Sequence, residues 1–142
     1  MLPKRTIISV PGEELSIHQI VEEFDFNDVT SVLSYNGRKT VESSITSTRK
    51  SDTRDLLLIE TNHTQISLIL TPSHKVFDVE NKKYTRASEI KQDTVLKHID
   101  GIETHVTKVR KITNNMLEDV YTLSIDKTQC FYANGILVHN DL

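Results

Sequence analysis

The stretch YTLSIDKTQCFYANGILVHN, residues 121–140, carries the strongest indication of the fold. Its apolar runs are short and rich in β-branched and aromatic residues, which is typical of β-strands. Asn134-Gly135 separates the last two runs and favours a turn with positive φ. The final run leads directly into His139 and Asn140. The stretch therefore predicts closing strands, the last of which ends in two polar side chains.

Similar short segments, separated by turn signals, run through most of the chain. One of the turn dipeptides is Asn36-Gly37, the strongest two-residue hairpin signal. This pattern predicts an all-β fold. The predicted strands are residues 6–10, 31–35, 56–59, 66–70, 75–79, 94–99, 102–112 and 120–125 and two closing strands around Phe131 and Ile136, and the other predicted turns are Pro11-Gly12, Asp100-Gly101 and Asn114-Asn115.

Helix is predicted in two short segments only. In residues 16–24, Ser16 and Gln19 have the spacing of a capping box, and the apolar side chains that follow Ser16 recur at the helical period. A second short helical turn is predicted at residues 87–90. The fold class is therefore all-β with one or two short helices.

Composition and charge exclude several classes of protein. With 142 residues, 37% hydrophobic and 26% charged, the chain is long enough for one globular domain with a core. The net charge is −3 without a basic stripe, so no nucleic-acid partner is expected. One cysteine excludes an internal disulfide framework, and the scattered histidines lack metal-ligand spacing. No cofactor or metal is therefore expected. No membrane-spanning run and no signal peptide is found, so we expect a cytoplasmic protein.

The pair His139-Asn140 has a specific chemistry. The side-chain amide of Asn140 can attack its own backbone carbonyl, which closes a succinimide and breaks the chain after Asn140. The reaction needs a proton donor and a group that stabilises the oxyanion, and histidine suits proton transfer near neutral pH. Neighbouring residues of a strand face opposite ways, so His139 can assist only if the backbone bends there. A polar chain end without a role is the alternative.

A second candidate site lies in LTPSH, residues 70–74. Thr71 and His74 are three residues apart on a turn forced by Pro72, so their side chains can converge on one point. Such a pair can polarise a carbonyl and protonate an amide leaving group. Alternatively, Thr71 only caps the turn and His74 only satisfies a backbone carbonyl. The residues alone leave both interpretations open.

Three motifs together resemble the inteins of the Hedgehog/intein (Hint) superfamily. They are the opening LPKRTIISVPGEELSIHQIVEEF with VTSVLSYNG, the central LTPSHKVFDV, and the late EDVYTLSIDKTQCFYANGILVHN. The resemblance covers essentially the whole chain and is nearest to small inteins, some of them split, of phage-type and ribonucleotide reductase genes. It implies a horseshoe-like all-β Hint fold, a monomer, and autocatalytic protein splicing at a central site where both chain ends meet.

The resemblance also implies roles for four residues. Thr71 and His74 match the Thr-x-x-His element, which activates the upstream scissile peptide bond. His139 and Asn140 match the penultimate histidine and the terminal asparagine. Asn140 would cyclise, and His139 would assist. Residues 1–140 would then form the splicing domain.

Departures from the family pattern occur at both splice junctions. The first nucleophile, normally Cys or Ser, falls on Met1, and nothing precedes Met1 in the sequence. Asp141 takes the first position of the downstream flanking segment, the C-extein, of which residues 141–142 would be a remnant. A thioether cannot perform an acyl shift, and Asp141 has no thiol or hydroxyl to receive an acyl group. We expect no splicing and at most slow cleavage after Asn140.

The late block also departs from the family pattern. Thr122 replaces the aspartate of Tyr-Asp-Leu, and Gln129 stands where a histidine usually precedes the aromatic pair, which calls the assistance of Asn cyclisation into question. In some inteins a cysteine at the aspartate position is a substitute nucleophile, so Cys130 is misplaced for that role. It is interpreted as a small buried residue beside the site. Ser9 is an alternative for the position of the first nucleophile. Position 1 fits the family pattern better, because the turn at Pro11-Gly12 would follow Ser9 almost at once.

The partners implied are the flanking exteins in cis or a complementary split half, with the break expected between Ile99 and Ile102. Residues 90–106 are too few to hold a homing endonuclease. Two alternatives remain, a non-enzymatic β-rich binding module that shares the fold and a Hint domain that only cleaves.

Overall fold

The strands dominate the fold, as the sequence predicts. A computed structural model describes residues 1–24 and 29–141. Within these residues the strands are β1 (Leu2–Pro3), β2 (Ile7–Val10), β3 (Glu13–Ser16), β4 (Ser31–Tyr35), β5 (Thr40–Thr61), β6 (Ser67–Leu70), β7 (Lys75–Asp78), β8 (Lys83–Arg86), β9 (Val95–Leu96), β10 (Thr104–Ile125), β11 (Cys130–Ala133) and β12 (Ile136–His139). The helix α1 (Ile17–Glu22) and a 3-10 turn (Ala87–Glu89) complete the elements. The all-β class with one or two short helices is confirmed.

The strands form one open antiparallel sheet. Its order is β3-β2-β11-β12-β7-β9-β10-β5-β4, while β1 pairs with β10, β6 with β5 and β8 with β7. The two longest strands, β5 and β10, have 22 residues each and pair along most of their length. This topology places β1, the turn after β6 and the end of β12 close together.

The helix α1 begins as its sequence predicts. Ser16 Oγ accepts a hydrogen bond from the Gln19 backbone nitrogen at 3.2 Å, and the Ser16 nitrogen donates to Gln19 Oε1 at 3.3 Å. Ile17 and Ile20 are buried completely. The capping box is confirmed, and α1 packs its apolar face on the core. No helix within the described residues is long and apolar enough to cross a bilayer.

The hairpin between β11 and β12 has the predicted two-residue turn. Ala133 pairs with Ile136, and Asn134 and Gly135 have φ values of 50° and 81°. A Cβ atom on Gly135 would lie 2.4 Å from Nε2 of His98, so both the backbone conformation and the space require glycine. This turn fixes where β12 starts and therefore where it ends.

Two predicted turns differ from the structure. Asn36-Gly37 belongs to a four-residue loop, because Tyr35 pairs with Thr40 and the Asn36 side chain accepts hydrogen bonds from the backbone nitrogens of Arg38 and Lys39. Asn114-Asn115 does not separate two strands. It lies within β10, where the pairing with β5 shifts after Thr113. The prediction of a turn was wrong there, because residues that favour a turn between two strands also occur in a bulge within one strand.

The two sides of the sheet bury different groups. The larger core packs on one side and includes Phe131 and Val138. On the other side, aromatic side chains surround the fully buried Cys130. We call this group the aromatic cluster. It consists of Tyr35, Phe77, Tyr84, Cys130 and Tyr132.

Candidate functional site

The nitrogen of Met1 lies at the centre of a cluster of polar groups. It donates a hydrogen bond to Thr71 Oγ1 at 2.6 Å and contacts Asp141 Oδ2 at 2.5 Å. Nδ1 of His74 lies 2.8 Å from the same nitrogen. The turn after β6 is tied to Met1, because the Thr71 nitrogen donates to the Met1 carbonyl oxygen at 2.9 Å. The structure therefore brings four of the sequence-predicted site residues together.

His74 connects this cluster to the last strand. Its Nε2 atom lies 2.7 Å from the carbonyl oxygen of His139. A carbonyl oxygen can only accept, so Nε2 carries the proton. In the neutral ring Nδ1 is then an acceptor, and it receives a hydrogen bond from the Met1 nitrogen. One imidazole ring thus contacts both the Met1 nitrogen and the backbone beside Asn140.

Burial controls the protonation of these groups. His74 is fully buried, and burial, helped by the positive Met1 amino group, lowers the pKa of His74 below its ordinary value. Burial also lowers the pKa of the Met1 amino group. Burial raises the pKa of Asp141, but the hydrogen bond and the positive charge of the Met1 amino group oppose this effect, and the net shift is downward. Because His74 is neutral, the Met1 amino group is the partner that keeps Asp141 ionised.

His139 and Asn140 meet at one carbonyl group. Nδ1 of His139 lies 2.7 Å from the backbone oxygen of Asn140, so Nδ1 carries the proton and donates it. β12 ends at His139, and the ring folds back on the backbone there, which removes the objection that neighbouring strand residues face opposite ways. Asn140 is 7% exposed, and its Oδ1 atom has no hydrogen-bond partner among the described residues.

The late-block residues are placed differently from one another. The Gln129 side chain is exposed, and only its carbonyl oxygen contacts the site, where it accepts from the Asn140 nitrogen at 2.8 Å. Thr122 is buried, and its hydroxyl has no partner within the described residues. Cys130 is fully buried with Sγ 3.2 Å from Ser34 Oγ. Neither Thr122 nor Cys130 contacts the Met1 nitrogen through a hydrogen bond.

Ser9, the alternative first nucleophile, lies elsewhere. It belongs to β2 and lines a cavity of about 680 Å³ together with His98 and Asn134. Neither Met1 nor Asn140 lines that cavity.

Sequence reasoning missed two contacts at this site. One is the Gln129 carbonyl group, and the other is Tyr84, whose ring centroid is 4.9 Å from that of His139. A backbone carbonyl has no signature in the sequence, and Tyr84 precedes His139 by more than fifty residues. Only the order of the strands brings them to the site.

In residues 1–24 and 29–141, no group of three or more His, Cys, Asp or Glu side chains could hold a metal ion.

Solved structures of inteins match the whole chain, although no protein-family model and no curated protein does. A bacterial intein-like domain from Clostridium thermocellum is 17% identical with a TM-score of 0.81, over 99% of this chain and 99% of that chain. A DnaB intein from Synechocystis sp. PCC 6803 is 16% identical with a TM-score of 0.81, over 99% and 98%. The TvoVMA intein is 18% identical with a TM-score of 0.83, over 99% and 97%.

At these identities the likeness defines the fold. The chain therefore has the all-β Hint fold of the inteins, with an open sheet, as the sequence resemblance implies.

Proposed function

We propose that the chain is an intein-type self-processing domain that breaks its own peptide bond after Asn140. The observation that supports this most directly is the hydrogen bond of 2.7 Å between His139 Nδ1 and the Asn140 carbonyl oxygen. That oxygen is bonded to the carbon that the Asn140 side chain would attack. The burial of Asn140 supports the proposal further, because a buried side chain has fewer competing conformations.

The proposed reaction is a single rearrangement of the chain. Nδ2 of Asn140 attacks the Asn140 backbone carbonyl carbon and closes a five-membered succinimide. The bond to the Asp141 nitrogen then breaks. Nδ2 gives up one of its two protons as the ring closes, and the Asp141 nitrogen takes up one proton as it leaves, so no net proton is consumed. His139 donates its Nδ1 hydrogen bond to the oxygen on which negative charge develops, which is the usual way to stabilise such an intermediate.

The upstream cluster fits the first step of splicing in a parent form. Thr71 and His74 both contact the Met1 nitrogen, where they would activate a peptide bond to a preceding residue. A thiol or hydroxyl at position 1 would then accept the acyl group, a nucleophile at position 141 would receive it, and ligation would follow. Met1 and Asp141 provide neither group. We infer that this chain does not splice and is limited to cleavage after Asn140.

The proposal defines the parts of the chain and their partners. Residues 1–140 are the processing domain, and Asp141 begins the downstream flanking segment, whose Leu142 lies outside the described residues. The domain acts once, as a monomer, on segments attached to it in cis or on those of a complementary split half.

Intact mass spectrometry tests the cleavage. After long incubation at neutral and mildly alkaline pH, we expect the chain to lose Asp141-Leu142. Asn140→Ala removes the attacking nitrogen and should keep its full mass under the same conditions. His139→Ala should slow the loss by roughly 10²-fold, the contribution of one positioned proton donor. An unchanged mass of the unaltered chain would refute cleavage by Asn140.

A further inference from the structure

The ring of His139 contacts one aromatic side chain from another hairpin. Its centroid is 4.9 Å from that of Tyr84, and the ring planes make an angle of 68°. This is the edge-to-face arrangement that aromatic rings prefer. His139 lies at the end of β12 and is only partly buried.

Tyr84 is itself held in place from two sides. It pairs directly with Phe77 across the β7–β8 hairpin, with the ring centroids 5.1 Å apart. It also belongs to the aromatic cluster that surrounds the fully buried Cys130. Cys130 is the residue directly opposite His139 in the β11–β12 pair. Tyr84 is therefore packed among residues that lie next to the histidine that it contacts.

The orientation of His139 matters for the proposed reaction. Nδ1 must face the carbonyl oxygen of the next residue, Asn140, and must carry the proton. A free imidazole exchanges between rotamers and between the two tautomers. A ring packed against His139 restricts its side-chain rotamer and the plane of its imidazole, and the hydrogen bond to the carbonyl oxygen then favours the orientation in which Nδ1 faces that oxygen.

We propose that Tyr84 is a positioning residue that holds the His139 ring with Nδ1 against the Asn140 carbonyl oxygen. Its effect on cleavage rests on the function proposed above, but its effect on the His139 ring does not. Gln129 stands at the position of the family's late-block histidine, but its side chain is exposed to solvent. The positioning of His139 therefore falls to Tyr84.

The test measures the ring and the reaction separately. In an Asn140→Ala background, which cannot cleave, the ¹⁵N shifts of the His139 ring report which nitrogen carries the proton. We expect Nδ1–H to dominate with Tyr84, to persist in Tyr84→Phe, and to give way to a mixture of tautomers in Tyr84→Leu. With Asn140 present, loss of Asp141-Leu142 should slow about tenfold in Tyr84→Leu and less than about twofold in Tyr84→Phe.

Tyr35→Leu is the matched control. Tyr35 belongs to the same aromatic cluster and contacts Phe77, with centroids 6.2 Å apart. This change should leave the His139 shifts and the cleavage rate unaltered. If Tyr84→Leu does not fold, Tyr84→Met supplies a flexible apolar side chain of similar reach in its place.

The outcomes separate the two proposals. Unchanged His139 shifts in folded Tyr84→Leu would overturn the positioning role, whatever the cleavage rate does. Altered shifts together with no cleavage by any variant would support the positioning role and refute the function proposed for Asn140. An equal effect of Tyr35→Leu would also overturn the specific role of Tyr84.

Discussion

His74 shows how a single residue combines structure with site chemistry. Its side chain is fully buried, and each ring nitrogen has one hydrogen-bond partner, the Met1 nitrogen and the His139 carbonyl oxygen. The ring is therefore kept neutral, and its tautomer is fixed by the backbone of another strand. A charged ring would place its second proton against the Met1 amino group, and the nearest carboxylate oxygen, Asp141 Oδ1, lies 3.9 Å from Nδ1, beyond hydrogen-bond distance.

The burial of His74 should make the folding stability depend on pH. The pKa of His74 is lowered from its ordinary 6.5, so below about pH 6.5 the unfolded chain binds a proton that the folded chain does not. Unfolding then takes up a proton, and the free energy of unfolding falls as the pH falls, by up to about 1.4 kcal/mol per pH unit. The slope fades as the pH rises through 6.5, because the unfolded ring is then neutral as well.

Urea denaturation of the chain and of His74→Gln, from about pH 7.5 down to about pH 5, measures this contribution. The difference between the two stabilities should level off as the pH rises above 6.5 and change steadily below it. Parallel curves over the whole range would contradict the neutral, buried state of His74.

Two glycines allow a comparison of strain with steric overlap. Gly37 and Gly135 both have positive φ, but a Cβ atom on Gly37 would meet nothing within 4 Å. We expect Gly37→Ala to lower the free energy of unfolding by about 1–3 kcal/mol through backbone strain alone. Gly135→Ala should cost roughly 1–3 kcal/mol more, because its Cβ atom overlaps the His98 ring. Equal losses in urea denaturation would show that the His98 ring moves aside freely.

At the level of elements, local signals predicted some features correctly and missed others. The capping box of α1 and the tight turn before β12 depend on neighbouring residues, so the sequence contains what determines them. Residues 40–55 of β5 were not predicted as strand, because they are largely polar and exposed. Their strand conformation comes from pairing with β10, which is a tertiary effect.

The irregular part of β10 should contribute little to stability. Four residues, 114–117, lie between Thr113 and Glu118, while their partners Asp55 and Thr53 are separated by one. Met116 and Leu117 there are 77% and 55% exposed.

Met116→Ser and Leu117→Ser should each change the free energy of unfolding by less than about 0.5 kcal/mol. Leu68→Ala, in β6 and fully buried, should lower it by about 2–5 kcal/mol. Thermal and urea unfolding of the three variants checks this. A large loss from either serine variant would show that the bulge packs against a surface in solution.

For the molecule as a whole, the candidate site is assembled from segments far apart in sequence. Motif resemblance could name Thr71, His74, His139 and Asn140, because each motif is local. It could not predict which ring nitrogen faces which partner, or that Tyr84 contacts His139. Those contacts depend on β7 lying between β12 and β8 in the sheet, and no short stretch of sequence specifies that order.

A break in the chain near Gly101 should be tolerated. Gly101 and Ile102 are exposed and lie between β9 and β10. Fragments 1–100 and 101–142 share the pairings of β10 with β5, β11 with β2 and β12 with β7. Each fragment alone exposes long unpaired strands, so we expect both to be unfolded separately and to form a folded one-to-one complex when mixed.

Circular dichroism and size-exclusion chromatography with light scattering measure this association. A break between Leu68 and Ile69 serves as the control, since it cuts a buried strand and should prevent recovery of the fold. Failure of the fragments 1–100 and 101–142 to associate would contradict the expected position of the split.

The meeting of Met1 and Asp141 has a mechanical consequence. Tension applied through segments attached at these two positions would act on β1 and β12 at neighbouring points. β1 pairs with β10 through Leu2 and Pro3 only, so such a load would peel the strand ends away pair by pair instead of shearing long strands. The contact between Met1 and Asp141 would open under a small force, while the long antiparallel pairing of β5 with β10 stayed intact. Pulling on the flanking segments would thus disable the site well before it unfolded the domain.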